Sequence, residues 1–140
     1  MSPSYPRPAP SILIFGSGWL GQAVGRNVLS GGGTAWLTSR STETRDQLTA
    51  DGFHAVDPDD AEALRAAVAE VQTLLVTAPP EPSGCPGLKA LIPALSAAGA
   101  WPDWIGYISS SAVYGDRAGA WAFEDEPLHA SSLTGASRVR

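Results

Sequence analysis

The sequence predicts an α/β domain built on a doubly wound parallel sheet of about five strands. Three observations carry this. Short apolar runs alternate with amphipathic stretches along the chain, the order that a parallel sheet with covering helices requires. The first run, Ile12-Leu13-Ile14-Phe15, is apolar without interruption, as suits a central strand buried on both faces. Directly after it stands Gly16-Ser17-Gly18-Trp19-Leu20-Gly21, a glycine spacing that fits a tight turn from strand into helix.

The elements follow in order. Residues 1–10 hold four prolines and no hydrophobic periodicity, so a disordered or extended arm is expected there, outside the fold. Residues 11–15 are the first strand. Residues 19–30 form a helix with Leu20, Val24 and Val28 on one face, stopped by Gly31-Gly32-Gly33. Residues 34–38 are the second strand, 42–51 a polar helix opening on a Thr cap, and 52–56 the third strand, closed by Asp57. The helix at 59–70 places Leu64, Ala67, Val68 and Val71 on one side, and 73–77 is the fourth strand. Residues 79–87 are a Pro- and Gly-rich loop. Leu88, Leu91, Ile92 and Leu95 then mark a helical face, in which Pro93 predicts a kink or a late start. The fifth strand covers 104–109, and beyond Tyr114 the chain reads as irregular up to a helix start near Ser132.

Composition narrows the function classes. A chain of 140 residues with 44% hydrophobic and 16% charged residues suffices for one domain with a real core. The formal charge of −5 and the absence of any Lys/Arg run argue against nucleic acid and anionic membrane as partners. The single cysteine, Cys85, cannot form an internal disulfide, and no Cys/His cluster has metal-site spacing, so no metal is expected. With no span or signal-like core, a soluble, cytoplasmic protein is the expectation.

The glycine turn is the chemically informative motif. Gly16 permits the tight bend, Gly18 removes a side chain that would block a diphosphate, and Gly21 lets the helix approach the sheet. The helix start offers free N–H groups and a partial positive charge to phosphates. The expected architecture is therefore Rossmann-type, with NAD(P) as the cofactor. The end of the second strand, where an acid would bind the ribose 2′-hydroxyl of NAD, carries none: it reads Thr38-Ser39-Arg40-Ser41. A guanidinium flanked by hydroxyls suits the 2′-phosphate of NADP, so Ser39 and Arg40 are expected to favour NADP, with NAD as the other candidate.

With the glycine turn, Asp57 at the close of the third strand, and the run Ile108-Ser109-Ser110-Ser111-Ala112-Val113-Tyr114-Gly115-Asp116, the chain resembles the extended short-chain dehydrogenase/reductases, the NAD-dependent epimerase/dehydratase family. The resemblance covers residues 11 to the C-terminus. It implies that Asp57 accepts from the adenine amino group, that Ala78 lies against the adenine ribose, that Ser109 borders the cofactor, and that the Ser110 hydroxyl bonds the substrate oxygen during hydride transfer. The family's Tyr-x-x-x-Lys pair, its general acid/base and its partner, falls on Thr134-Gly135-Ala136-Ser137-Arg138. Thr134 is far too weakly acidic to replace a phenol, and Arg138 can hold ribose hydroxyls but cannot act as an adjustable proton relay. The resemblance also implies two further strands and a substrate-binding lobe after Arg140. The fifth strand, with Trp104, Ile105, Tyr107 and Ile108, would then lack cover. Either a longer parent protein or association with a second copy is expected.

Other residues are set aside. Cys85 has no nearby base to make a thiolate. His54 and His129 stand alone. Glu124-Asp125-Glu126 reads as a solvated loop, with Glu124 and Asp125 kept as rim residues of a substrate pocket. Two functions follow: an oxidoreductase or epimerase-like enzyme acting on a small molecule, or a non-catalytic NADP(H)-binding sensor or regulatory module on the same fold.

Overall fold

The computed structural model describes residues 9–139. The expected arm at 1–10 lies largely outside the described residues. Its last residue, Pro10, lies inside them, and its carbonyl accepts from the Thr34 N–H at 2.9 Å.

The described residues form a five-stranded parallel sheet in the order β3-β2-β1-β4-β5, from β1 (Ser11–Phe15), β2 (Thr34–Thr38), β3 (His54–Val56), β4 (Thr73–Val76) and β5 (Trp104–Tyr107). Helices α1 (Trp19–Ser30), α2 (Thr42–Ala50), α3 (Ala61–Ala69) and α4 (Pro86–Ala98) connect successive strands, and a short α5 (Leu133–Val139) ends the described chain. The chain winds outward from β1 to β3, then returns to place β4 on the other side of β1. The order reverses between β1 and β4, as the doubly wound expectation requires.

Two cores flank the sheet. On one face Leu13, Phe15, Leu74 and Val76 meet Leu64, Ala67 and Val68 of α3 and Leu91 and Leu95 of α4. The other face buries Ile12, Ile14 and Leu37 with Leu48 of α2 and Phe53. The central strand is thus covered on both sides, which explains its unbroken apolar run. The α3 face matches the sequence pattern residue for residue.

The structure corrects several details. Helix α2 is capped by Ser41, whose Oγ accepts from Thr44 N at 3.2 Å; Thr42 is the first helical residue, and its hydroxyl accepts from Arg45. Helix α4 starts early, with Pro86 in its first turn, and runs on through Pro93; proline at a helix start leaves no additional donor unpaired. On α1 the buried positions are Gly21 and Gly25, with Leu20 37% exposed. A Cβ at Gly25 would stand 2.8 Å from Phe53 Cε1, so this helix meets the sheet through its backbone, with Val24 and Val28 only at the margin of the core. Strand β3 is short because Gly52 turns at φ +91° and Phe53 N–H bonds back to Leu48. His54 has a packing role: its ring stacks on Trp36 with centroids 4.3 Å apart.

Strand β5 is half open. Trp104, Ile105 and Tyr107 on it and Ile108 just after it are all exposed, on both faces of this edge strand.

Candidate functional site

In an open α/β sheet, ligands bind at the carboxyl ends of the strands where the winding reverses. Here that point lies between the ends of β1 and β4. The Phe15 carbonyl accepts the N–H groups of both Thr77 and Ala78 at 3.0 Å, which fixes one strand end against the other. Gly16 then turns with φ +125°. A Cβ there would meet Thr77 Oγ1 at 2.5 Å, so conformation and space both demand glycine.

Its N–H donates to Thr38 Oγ1 at 3.0 Å. Thr38 is the buried polar residue of the central sheet. The sequence reading passed over it, although a threonine at a strand end next to the glycine turn is a local signal for such a tie.

The other two glycines differ in what surrounds them. A Cβ on Gly21 would sit 2.6 Å from the Gly16 carbonyl oxygen, so Gly21 serves the close approach of α1 to its own turn. Gly18 has open space where its Cβ would be. It caps α1 in extended conformation, φ −71° and ψ −177°, without a side-chain bond to the helix start and with no acid in the first turn. Among the described residues no group accepts from the N–H groups of Ser17, Gly18, Trp19, Leu20 or Gly21. Gln22 Nε2 steadies the turn by donating to the Ser17 carbonyl at 2.9 Å. An open cradle with unspent donors at a helix start fits a diphosphate. Trp19 and Leu20 border it as exposed side chains.

From this cradle a cavity of about 420 Å³ extends along the strand ends. Its walls include Thr38, Ser39 and Arg40 on one side and Ala78 and Pro79 on the other, with Pro58 at its end. Ser39, Arg40 and Ala78 are thus brought together with Gly16 and Ser17 around one space. Asp57 is placed otherwise. Its Oδ2 pairs with the Arg45 guanidinium at 3.1 Å and its Oδ1 accepts from Asp59 N at 3.0 Å, so it ties helix α2 to the loop after β3 and does not line that cavity. Arg45, also missed in the sequence, donates to the carbonyls of Ser39 and Arg40 at 2.7 and 2.8 Å. It holds the loop after β2 in shape.

The second cluster lies beyond β5. Ser109 is exposed and Ser110 half-buried; the Ser110 hydroxyl accepts from Ala112 N at 3.2 Å and caps a 3-10 turn over Ser111–Tyr114. Helix α5 rests on this turn, with buried Gly135 against the Ala112 carbonyl. Arg138 reaches back to donate to the Ile108 carbonyl at 2.6 Å, with its guanidinium 6.0 Å from the Tyr107 ring centre. Thr134 is exposed. Helix α5 therefore brings Arg138 to the end of β5, two residues from Ser110. Of the acidic run, Glu126 pairs with Arg117, while Glu124 and Asp125 are exposed.

No protein-family model matches the chain, and no curated protein matches it. Solved structures do. A functionally unknown conserved protein from Silicibacter pomeroyi is 32% identical with a TM-score of 0.80, over 93% of this chain and 45% of that one. The UDP-N-acetylglucosamine 4-epimerase from Bacillus cereus is 20% identical with a TM-score of 0.70, over 93% and 51%. This chain has their Rossmann-type fold. A short-chain dehydrogenase/reductase superfamily protein from Agrobacterium tumefaciens with bound NAD is 24% identical with a TM-score of 0.65, over 92% and 42%. The solved neighbours thus include an epimerase and a short-chain dehydrogenase/reductase superfamily protein, at low identity. The chain spans about half the length of the solved structures it matches.

Proposed function

We propose that this chain binds NAD(P) through the Gly16–Gly21 turn and is the dinucleotide-binding part of an oxidoreductase or epimerase-like protein acting on a small molecule. The observation that carries the reading is the open space at Gly18, surrounded by unspent amides at the point where the sheet reverses. Neighbours of the same fold act as an epimerase or hold NAD, which supports the class of cofactor.

The adenosine half of the dinucleotide occupies the cavity between Ala78 and the loop of Ser39 and Arg40, with Arg40 toward the ribose 2′ position. This arrangement favours NADP(H) and admits NAD(H). The family role of Asp57 toward adenine would have to use lone pairs beyond those that Arg45 and the Asp59 amide engage. At the other end, Ser110 and Arg138 border the reacting half: the serine hydroxyl would bond a substrate oxygen and the guanidinium the ribose hydroxyls. The cofactor, when bound, supplies the hydride chemistry.

A second reading, a non-catalytic NADP(H)-binding sensor or regulatory module, is favoured by one observation. Thr134 and Arg138 stand where the resembling family has its acid/base pair, and one Arg138 N–H donates to a backbone carbonyl. Both readings require dinucleotide binding. Isothermal titration with NADPH and with NADH tests them together: saturable heat at micromolar ligand is expected, and no heat with either overturns both.

A further inference from the structure

Arg40 does not face the cavity alone. Its Nε donates to Asp59 Oδ2 at 3.1 Å, and the two side chains are 62% and 67% exposed. Both line a second cavity of about 320 Å³, which shares Phe15, Arg40, Pro58 and Glu81 with the first and also has Lys89 on its wall.

The pair is set up from below by a second one. Asp57 accepts the amide of Asp59 and pairs with Arg45, which in turn donates to the carbonyl of Arg40. The backbones carrying Arg40 and Asp59 are therefore held opposite each other by the Arg45–Asp57 contact, and only their outer side chains remain to meet a ligand. Of these two carboxylates, Asp57 has one oxygen on Arg45 and the other on an amide, whereas Asp59 has only Arg40 among the described residues.

Resting on the dinucleotide reading above, we propose that Asp59 is a specificity-determining residue, whose carboxylate opposes a ribose 2′-phosphate and receives a ribose 2′-hydroxyl. A 2′-phosphate that meets the free N–H groups of the Arg40 guanidinium lies beside the Asp59 carboxylate, with Glu81 and Lys89 on the same wall. A 2′-hydroxyl meets no such opposition, because it can donate to Asp59 while the pair stays closed. An exposed charge is worth little, so the carboxylate opposes the phosphate at modest cost and both dinucleotides are admitted. The pair moderates a preference that Arg40 by itself would make steep.

The test is titration of NADPH and NADH into the wild-type chain and into Asp59→Asn. This substitution keeps an acceptor for Arg40 and removes the charge. NADPH is expected to bind about two- to fivefold more tightly to Asp59→Asn, the range that one exposed charge sustains, while NADH binds equally or more weakly. The ratio of the two affinities is the readout, since a change in fold alone would move both together. An unchanged ratio, or a parallel shift, overturns the role of Asp59 and leaves dinucleotide binding standing. A wild-type chain that binds neither ligand overturns the dinucleotide reading, and this inference with it.

Discussion

Replacing Gly18 by Asp separates two properties that usually fall together, because it should stabilise the fold and abolish the site. The backbone at Gly18 is already in the extended conformation of a helix cap, with space for a Cβ. An Asp side chain there would accept from the free N–H groups of α1, which now has neither a side-chain cap nor an acid in its first turn. Gly is a few tenths of a kcal/mol poorer than Asp as a cap, and a carboxylate at a helix start adds about 0.3–1 kcal/mol, so a net gain of about 0.5–1 kcal/mol is expected. For a domain near this size that corresponds to a rise of about 2–3 °C in melting temperature. The same carboxylate would fill the cradle and repel a diphosphate, so NADPH affinity should fall by at least about a hundredfold, given some 3 kcal/mol for lost charge-assisted bonds and like-charge contact. Thermal unfolding by circular dichroism and isothermal titration read the two effects. A lower melting temperature would refute the open space at Gly18, and retained NADPH binding would refute the use of these amides.

Other substitutions test the surroundings. Gly21→Ala puts a methyl 2.6 Å from the Gly16 carbonyl oxygen; after the better helix propensity of Ala is credited, a loss of about 1–2 kcal/mol is expected in denaturant titration. Thr38→Val removes the acceptor of the Gly16 N–H and should cost about 1–3 kcal/mol, with weaker NADPH binding in the same protein. Arg40→Ala should weaken NADPH about tenfold, the size of one charge-assisted contact, and leave NADH nearly unchanged in paired titrations. Arg45→Ala leaves Asp57 unpaired and frees the carbonyls of Ser39 and Arg40. Hydrogen exchange at the amides of residues 39–41 should quicken, and both dinucleotides should bind less tightly.

How much of this was legible depends on whether the signal is local. The α3 stripe, the buried first strand and the turn at Gly16 are written in neighbouring residues, and sequence periodicity finds them. The contact of Thr38 with Gly16 and the tie between Arg45 and Asp57 join residues distant in sequence, and no spacing rule singles out their partners. Helix α1 misled for another reason. A pattern of Leu20, Val24 and Val28 reads as a core face, but Gly21 and Gly25 let the backbone itself press on Ile14, Leu37 and Phe53, a mode of burial that hydrophobicity does not register. At the second cluster, the position of Arg138 at the end of β5 follows from the turn of α5 on Gly135, which a stretch without clear periodicity does not announce.

The bond from the Gly16 amide to the Thr38 hydroxyl has one more implication. It ties the bend after β1 to the tip of its neighbour β2, so the amide nest and the arginine loop are rooted one strand spacing apart, roughly 4.8 Å. A single bond between residues 22 apart in sequence thus fixes where two loops stand relative to each other.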